Sequence, residues 1–297
     1  MSVLFSIAVH ENQDCVHDMI ENILWFCPES TIILHIAKGF DFTLEPKFNA
    51  SVHINKLQYY TGFIDGTLVY VHLSNYRYAT RINLNFSTFV PFGSNQMFIK
   101  KGFESYVNNF DCVGFPSYMN QSKGVTDKSH YPKFCKDFIF KGYFTTSDIY
   151  KMAPEGTYYS KYLIDDLLKH LDSNRYYKFS DKYIYRTKLG KYLRSFLRFI
   201  SRTKDFLGFG FFNPSLIAPF SYANEEIIFP SLSTSNLNKG SLTCFIPWKR
   251  GKNIDVTISD VDHCLKNMAD IYSVKRVPRD INNITRCYIK NISSDYK

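Results

Sequence analysis

The stretch "VLFSIAVHENQDCVHDMIENILWFCPESTIILHI", residues 3 to 36, changes its hydrophobic period twice. VLFSIAV (3 to 9) is a short β-rich apolar run. In DCVHDMIENILWF, Val16, Met19, Ile20, Ile23 and Leu24 recur at helical spacing, and STIILHI (30 to 36) is again β-like. Strand, helix and strand at this spacing predict a parallel α/β sheet with a nucleotide-type crevice at its carboxyl edge. Working outward, SVHINKL predicts a third strand, SNYRYATRINL (74 to 84) the next helix, and FSTFVPF (86 to 92) the next strand, ending in the polar turn GSNQMFIKKG. SKYLIDDLLKHL (160 to 171) is a helix, whereas residues 116 to 147 are polar, turn-rich and without a clear assignment. No internal repeat, low-complexity linker or break in composition divides the chain, so residues 1 to 297 are expected to form one domain.

The bulk properties allow that fold. The chain is 45% hydrophobic and 17% aromatic, enough for a large core. Its net charge of +9 favours an anionic partner, a nucleic acid, a membrane surface or a phosphorylated ligand, without choosing among them. Seven scattered cysteines with no C-x-x-C pair predict reduced core thiols in a cytosolic protein rather than a disulfide framework or a zinc site. The opening MSVLFSIAVHENQDC has no basic n-region and reads as a first strand, not a signal peptide. No stretch reaches the length of an uncharged apolar membrane span.

One segment stands apart. KYIYRTKLGKYLRSFLRFISRTK (182 to 204) holds eight Lys and Arg and no Asp or Glu. Leu189, Leu193, Phe196, Leu197 and Ile200 share one helical face, while Arg194, Arg198 and Arg202 follow at i+4 on another. Such a helix suits an anionic bilayer surface, and it equally suits a solvated helix whose apolar face packs on the core. The aromatic, Gly-rich stretch that follows, DFLGFGFFNPSLIAPF, favours peripheral membrane contact through residues 182 to 220.

Three patches carry candidate chemistry: the loop Gly93 to Lys101, the pair Glu225 and Glu226 in SYANEEIIFPSLST, and the basic stretch IYSVKRVPRDINNITRCYI. The last groups Lys275, Arg276, Arg279 and Arg286, side chains suited to clamping a pyrophosphate. The Asp-x-Asp at Asp260 and Asp262 opens a helix and reads as N-terminal capping. The polar turn after FSTFVPF, Gly93-Ser94-Asn95-Gln96, contains no acid to hold a hard cation.

The order of these motifs resembles the core-2 and I-branching type of N-acetylglucosaminyltransferases with their xylosyltransferase and bacterial relatives. FSIAVHENQDCVHDMIENI is similar to that family's first strand and helix. LVYVHLSNYRYATRINL resembles the helix before its central strand, and FVPFGSNQMFIKKGFESYV its strand and Ser/Gly-x-x-Phe-x-Lys turn. APEGTYYSKYLIDDLL is similar to its Gly-Ser-x-Tyr/Phe segment, SYANEEIIFPSLST to its Pro-Asp/Glu-Glu segment, and DIYSVKRVPRD to its terminal Phe-Ala-x-Lys segment. The resemblance implies a GT-A-like single α/β domain, with a mostly parallel central sheet flanked by helices. A nucleotide-sugar-binding half (1 to 115) would be joined to an acceptor-binding half (116 to 297) that carries the basic C-terminal segment.

It further implies a metal-independent, inverting transfer from a nucleotide sugar, expected to be a UDP-sugar, with no cofactor. The acceptor would be a glycan or lipid-linked species in bacterial surface polysaccharide (lipopolysaccharide or capsule) synthesis. Glu226 falls on the catalytic base. His10, Ser94, Asn95, Arg250, Lys275, Arg276 and Arg279 fall on the donor side, with Lys275 matching the family's terminal lysine. Glu225, Glu155 and Thr157 fall on the acceptor side, and Glu225 also reads as a surface neighbour. Glu155, which follows a proline, is set aside as the base, because its Gly-Thr-x-Tyr context is similar to the family's earlier Gly-Ser segment and only ANEEIIFP supplies an acid in the second position. Two adjacent carboxylates repel, which favours a proton acceptor; they also suit the first turn of a helix capped by Asn224. The chain departs from the family at Ala37, where an acid is common after the second strand, and at Ser94-Asn95.

Animal members carry an N-terminal anchor and structural disulfides, so this chain resembles a bacterial, cytoplasmic-side member, peripheral at the inner face of the membrane. Two other classes stay open: a basic nucleic-acid-binding protein, although no recognisable nucleic-acid module occurs and no nucleic-acid partner is expected, and a catalytically inactive glycosyltransferase-like scaffold.

Overall fold

In β1 (Val3–Val9) every residue is buried, because both faces of the strand are covered; this is why the run lacks alternating polar positions. The computed structural model describes residues 2–10, 12–62, 66–114, 143–144, 152–207, 225–233, 236–249 and 252–294. α1 (Gln13–Phe26) starts at Asn12, whose side chain accepts a hydrogen bond from the Asp14 amide at 2.8 Å. Its Val16, Met19, Ile20 and Ile23 enter the main core. β2 (Thr31–Ile36) and β3 (Val52–Ile54) continue in parallel register, with Phe5 opposite Ile32 and Ile33 opposite His53.

α2 (Thr67–Arg81) begins earlier than residue 74, at the left-handed Gly66, with φ of 74°. It leads to β4 (Thr88–Phe92), which pairs parallel with β1 on the side away from β2. The chain therefore winds one way from β1 through β3 and then reverses to β4. This places a topological switch point between the carboxyl ends of β1 and β4.

Residues 96 to 98, expected within a polar turn, form β5 (Gln96–Phe98) instead. The reason is a distant partner: β5 pairs antiparallel with β12 (Ser273–Lys275), which itself pairs parallel with β9 (Cys244–Phe245). All three β5 residues are buried. α3 (Phe103–Val107) and β6 (Cys112–Val113) follow. β7 (Tyr159–Ser160) and β8 (Lys239–Gly240) complete a seven-stranded sheet of order β3-β2-β1-β4-β7-β6-β8, in which β7 runs antiparallel to both neighbours. The architecture is thus mixed α/β around a mostly parallel sheet. The expected halves 1 to 115 and 116 to 297 are interleaved, since β7 and β8 join the first half's sheet while β5 joins β12.

The remaining helices are α4 (Lys161–Ser173), α5 (Arg175–Phe179), α6 (Lys188–Leu207), α7 (Glu225–Ile228), α8 (Ile258–Asn267) and α9 (Ile284–Ser294). β10 (Trp248–Lys249) and β11 (Lys252–Asn253) make a small antiparallel ribbon. A second, smaller core lies between the three-stranded sheet and α8 and α9, built from Met97, Ile99, Val261, Cys264, Val274 and Ile289. At the start of α8, Thr257 and Asp260 form a reciprocal capping box. The hydroxyl of Tyr288 donates to Asp262, so both acids of the Asp-x-Asp act within this structure's own packing.

Cys15, Cys27, Cys112, Cys244 and Cys264 are buried in the interior, whereas Cys287 is exposed. No helix among the described residues is long and apolar enough to cross a membrane.

Candidate active site

The turn after β4 closes on itself: the Gln96 amide donates to the Gly93 carbonyl at 3.1 Å, and the Gln96 side chain accepts from the Gly93 amide at 3.2 Å. The other end of the Gln96 side chain donates to the Ser273 hydroxyl at 2.8 Å. The switch-point turn is thereby tied to β12. One residue past that strand, Arg276 adopts a left-handed backbone with φ of 67°, uncommon for a residue with a side chain. The bend lets the Val277 amide donate to the Asn95 carbonyl at 3.0 Å.

This framework delivers Lys275 to the end of β4. Its Nζ lies 2.5 Å from Glu155 Oε1, in a pair whose side chains are only 16% and 18% exposed. A Cβ on Gly93 would fall 2.2 Å from that Nζ and 3.3 Å from the Glu155 Cγ, so the pair rests directly on the glycine backbone. Glu155 is presented by a rigid loop. Gly156, at φ of 84°, packs so tightly on Cys244 that a Cβ would meet its backbone nitrogen at 2.5 Å. The Gly156 carbonyl accepts from both the amide and the hydroxyl of Thr243. Burial alone would raise the Glu155 pKa, but the charge and hydrogen bond of Lys275 override it and hold the carboxyl below its ordinary value. A carboxylate stabilised in this way is a weaker proton acceptor than a free one.

The glutamate pair sits next to this loop. The Met152 amide, three residues before Glu155, donates to the Glu226 carbonyl at 2.8 Å. Ile227, Ile228 and Phe229 are buried, and Phe229 packs on Phe89 of β4, Tyr159 of β7 and, edge-on at 5.9 Å, on the His72 ring. The apolar run following the two glutamates thus anchors α7 against the sheet. Glu226 is half-buried and Glu225 is buried, so Glu225 is not a surface neighbour.

His72 has no counterpart among the residues expected from sequence. It is buried in α2, within electrostatic reach of Glu155 and Lys275, with Nδ1 2.8 Å from the Ser6 hydroxyl. Asn75 donates to Ser6 and to the Ile33 carbonyl, and Asn55 donates to Ser74 and to the Asn75 side chain. This buried network fixes α2 in register across β1 and β2. Two polar residues at i and i+3, His72 and Asn75, within the otherwise apolar face of that helix are the sequence signal that marks it.

Nearby, His35 accepts from the Tyr59 amide at 2.9 Å. Burial, with a contribution from His72, lowers the His35 pKa from 6.5 to about 3. Burial lowers that of His72 from 6.5 to about 4, Glu155 opposing and Lys275 adding to the effect. Both rings are neutral in the native state, so below pH 6.5 the unfolded chain binds more protons. Stability is expected to be complete above pH 6.5 and to fall by about 1.4 kcal/mol per pH unit for each histidine on acidification toward their folded values. Urea midpoints measured from pH 7.5 down to 4.5 check this; a flat profile there would count against neutral burial of the two rings.

The other expected site residues scatter. Ser94 is buried in the β4 turn beside half-buried Asn95, and His10 is exposed at the end of β1. Arg276 is half-buried and Arg279 exposed. Thr157 is fully enclosed and its hydroxyl donates to the Pro154 carbonyl at 2.6 Å; it holds the Glu155 loop rather than facing outward. Arg286 does not join the basic group around Lys275. It is buried against α1, paired with Asp18 at 2.7 Å and donating to the Pro278 carbonyl. Arg250, the Asn224 cap and most of residues 116 to 147 lie outside the described residues.

Among the described residues, no three His, Cys, Asp or Glu side chains converge as metal ligands do. Comparison with models of known protein families and with curated protein sequences returns no match.

Proposed function

We propose that this protein is a metal-independent, inverting glycosyltransferase. It would move a sugar from a nucleotide-sugar donor, a UDP-sugar by the resemblance, to a glycan or lipid-linked acceptor in bacterial surface polysaccharide synthesis. The observation that carries the proposal is the meeting of Lys275, Glu155 and the Gly93 turn at the switch point of a mostly parallel sheet, with the Glu226 segment bonded to the loop that presents Glu155. Three segments far apart in sequence, each matching the resemblance in family order, converge where open α/β sheets bind nucleotides.

In the proposed reaction the acceptor hydroxyl attacks the anomeric carbon from the face opposite the leaving group. Glu226 takes the hydroxyl proton, the bond from the anomeric carbon to the diphosphate oxygen breaks, and the nucleoside diphosphate departs with the electron pair. Lys275 supplies a fixed cation for that diphosphate, with Arg276 on the bend beside it and Arg279 three residues further along the chain as helpers in sequence order. Glu155 holds the Lys275 ammonium in place against the Gly93 turn. Its lowered proton affinity favours Glu226 over Glu155 as the base.

The test is thermal stabilisation of the protein in EDTA by a panel of UDP, GDP and CMP compounds, with Lys275→Ala alongside. One nucleotide class is expected to raise the Tm of the wild type and to lose most of that effect in Lys275→Ala. No stabilisation by any member, or stabilisation that requires added Mn²⁺, would count against the proposal.

A further inference from the structure

α6 faces the opposite way from a core helix. Its inner stripe is Gly190, Arg194 and Leu197. A Cβ on Gly190 would lie 2.2 Å from the Ile184 carbonyl and 2.6 Å from that of Tyr183, a closeness only glycine permits. One turn later Arg194, 1% exposed, donates to the carbonyls of Ile184 and Tyr60 and lies over the Tyr185 ring at 4.7 Å. Arg194 is therefore not part of a solvated basic side.

With that stripe held inward, the apolar face turns out. Leu189 is 79% exposed, Tyr192 60%, Leu193 39%, Phe196 60% and Phe199 65%. At 3.6 residues per turn these five form one continuous arc. Lys188 and Lys191 flank it and are exposed, and the stretch from 182 to 204 holds eight cations and no acid. The side chains of residues 198 and 200 to 207 lie outside the described residues.

We infer that α6 is an interfacial helix that seats the protein flat on an anionic bilayer, the apolar arc entering the headgroup boundary and the flanking lysines meeting lipid phosphates. Charge complementarity selects this occupant over a second copy of the chain. A symmetric dimer through α6 would bring together two helices that each carry six Lys and Arg against a single acid, Asp205. Docking does not depend on the chemistry proposed at Lys275 and Glu226, so each stands or fails separately.

Vesicle co-sedimentation tests it, using phosphatidylcholine alone and with about a third phosphatidylglycerol. The wild type is expected to bind the anionic vesicles at least about tenfold more tightly than the neutral ones, with binding weakened by salt. Tyr192→Ser/Phe196→Ser/Phe199→Ser, and separately Lys188→Glu/Lys191→Glu, should each lose about tenfold or more with an unchanged urea midpoint, because all five positions are exposed. The proposal is overturned if the wild type ignores anionic vesicles, or if both variants bind as the wild type does. It is also overturned if light scattering finds a dimer, dismantled by the aromatic triple variant, in a protein that does not bind vesicles.

Discussion

Glu226→Gln is expected to lower transfer by a factor of about 10² to 10⁴, which is about 3 to 5 kcal/mol of transition-state stabilisation. Nucleotide binding should be unaffected. The amide keeps the size of the side chain and removes its capacity to accept the acceptor's proton. The Glu226 backbone bond to Met152 and the burial of Ile227 to Phe229 do not involve the carboxylate, so the local fold should persist. Glu155→Gln is the informative companion. It removes the carboxylate that faces Lys275 and leaves the ammonium in a mostly enclosed position, so its signature should appear in nucleotide binding and stability as well as in turnover. Turnover retained in Glu226→Gln and abolished in Glu155→Gln, with nucleotide-induced stabilisation intact, would move the base to Glu155.

The largest effect on stability is expected from Arg286→Ala, at about 3 to 5 kcal/mol. Arg286 is 1% exposed and Asp18 5%, so truncating the arginine leaves a carboxylate buried against α1 without its close partner. Lys290 lies 3.5 Å from the other Asp18 oxygen, but it is a solvated side chain and can offset only part of the loss. The double variant Asp18→Asn/Arg286→Met should recover much of the deficit, because the cost lies in the uncompensated charge rather than in the absence of an ion pair. Urea unfolding of the three chains measures it. A loss below about 1 kcal/mol for Arg286→Ala would mean that Asp18 finds water or Lys290 readily, contrary to its burial.

The contrast between Arg286 and Lys275 explains where sequence legibility ends. Both belong to one basic stretch, and neither composition nor spacing separates them. β12 carries Lys275 to the switch point through its ladder with β5, whereas α9 folds Arg286 back onto α1. The same limit applied to GSNQMFIKKG, whose polar residues suggested only a turn. Gln96 to Phe98 became a strand because Ser273 to Lys275 were brought alongside. Glu155 and Thr157 were legible as a neighbouring pair. Their division into a charged group facing Lys275 and a hydroxyl holding Pro154 depended on the positive φ of Gly156 and its contact with Cys244.

What the sequence determined by itself is what local periodicity and capping encode. That includes the alternation of β1, α1 and β2, the parallel class of the sheet and the capping role of Asp260. Tertiary structure alone decided the reversal between β1 and β4, the pairing of Lys275 with Glu155 and the outward turn of the apolar face of α6. The physical reason is the same in each case. A hydrophobic pattern states which residues share a face, but which face is covered depends on backbone carbonyls, glycine clearances and ladder partners contributed from distant parts of the chain. In α6 the buried arginine holding Ile184 and Tyr60, and the glycine one turn before it, outweighed the apolar stripe.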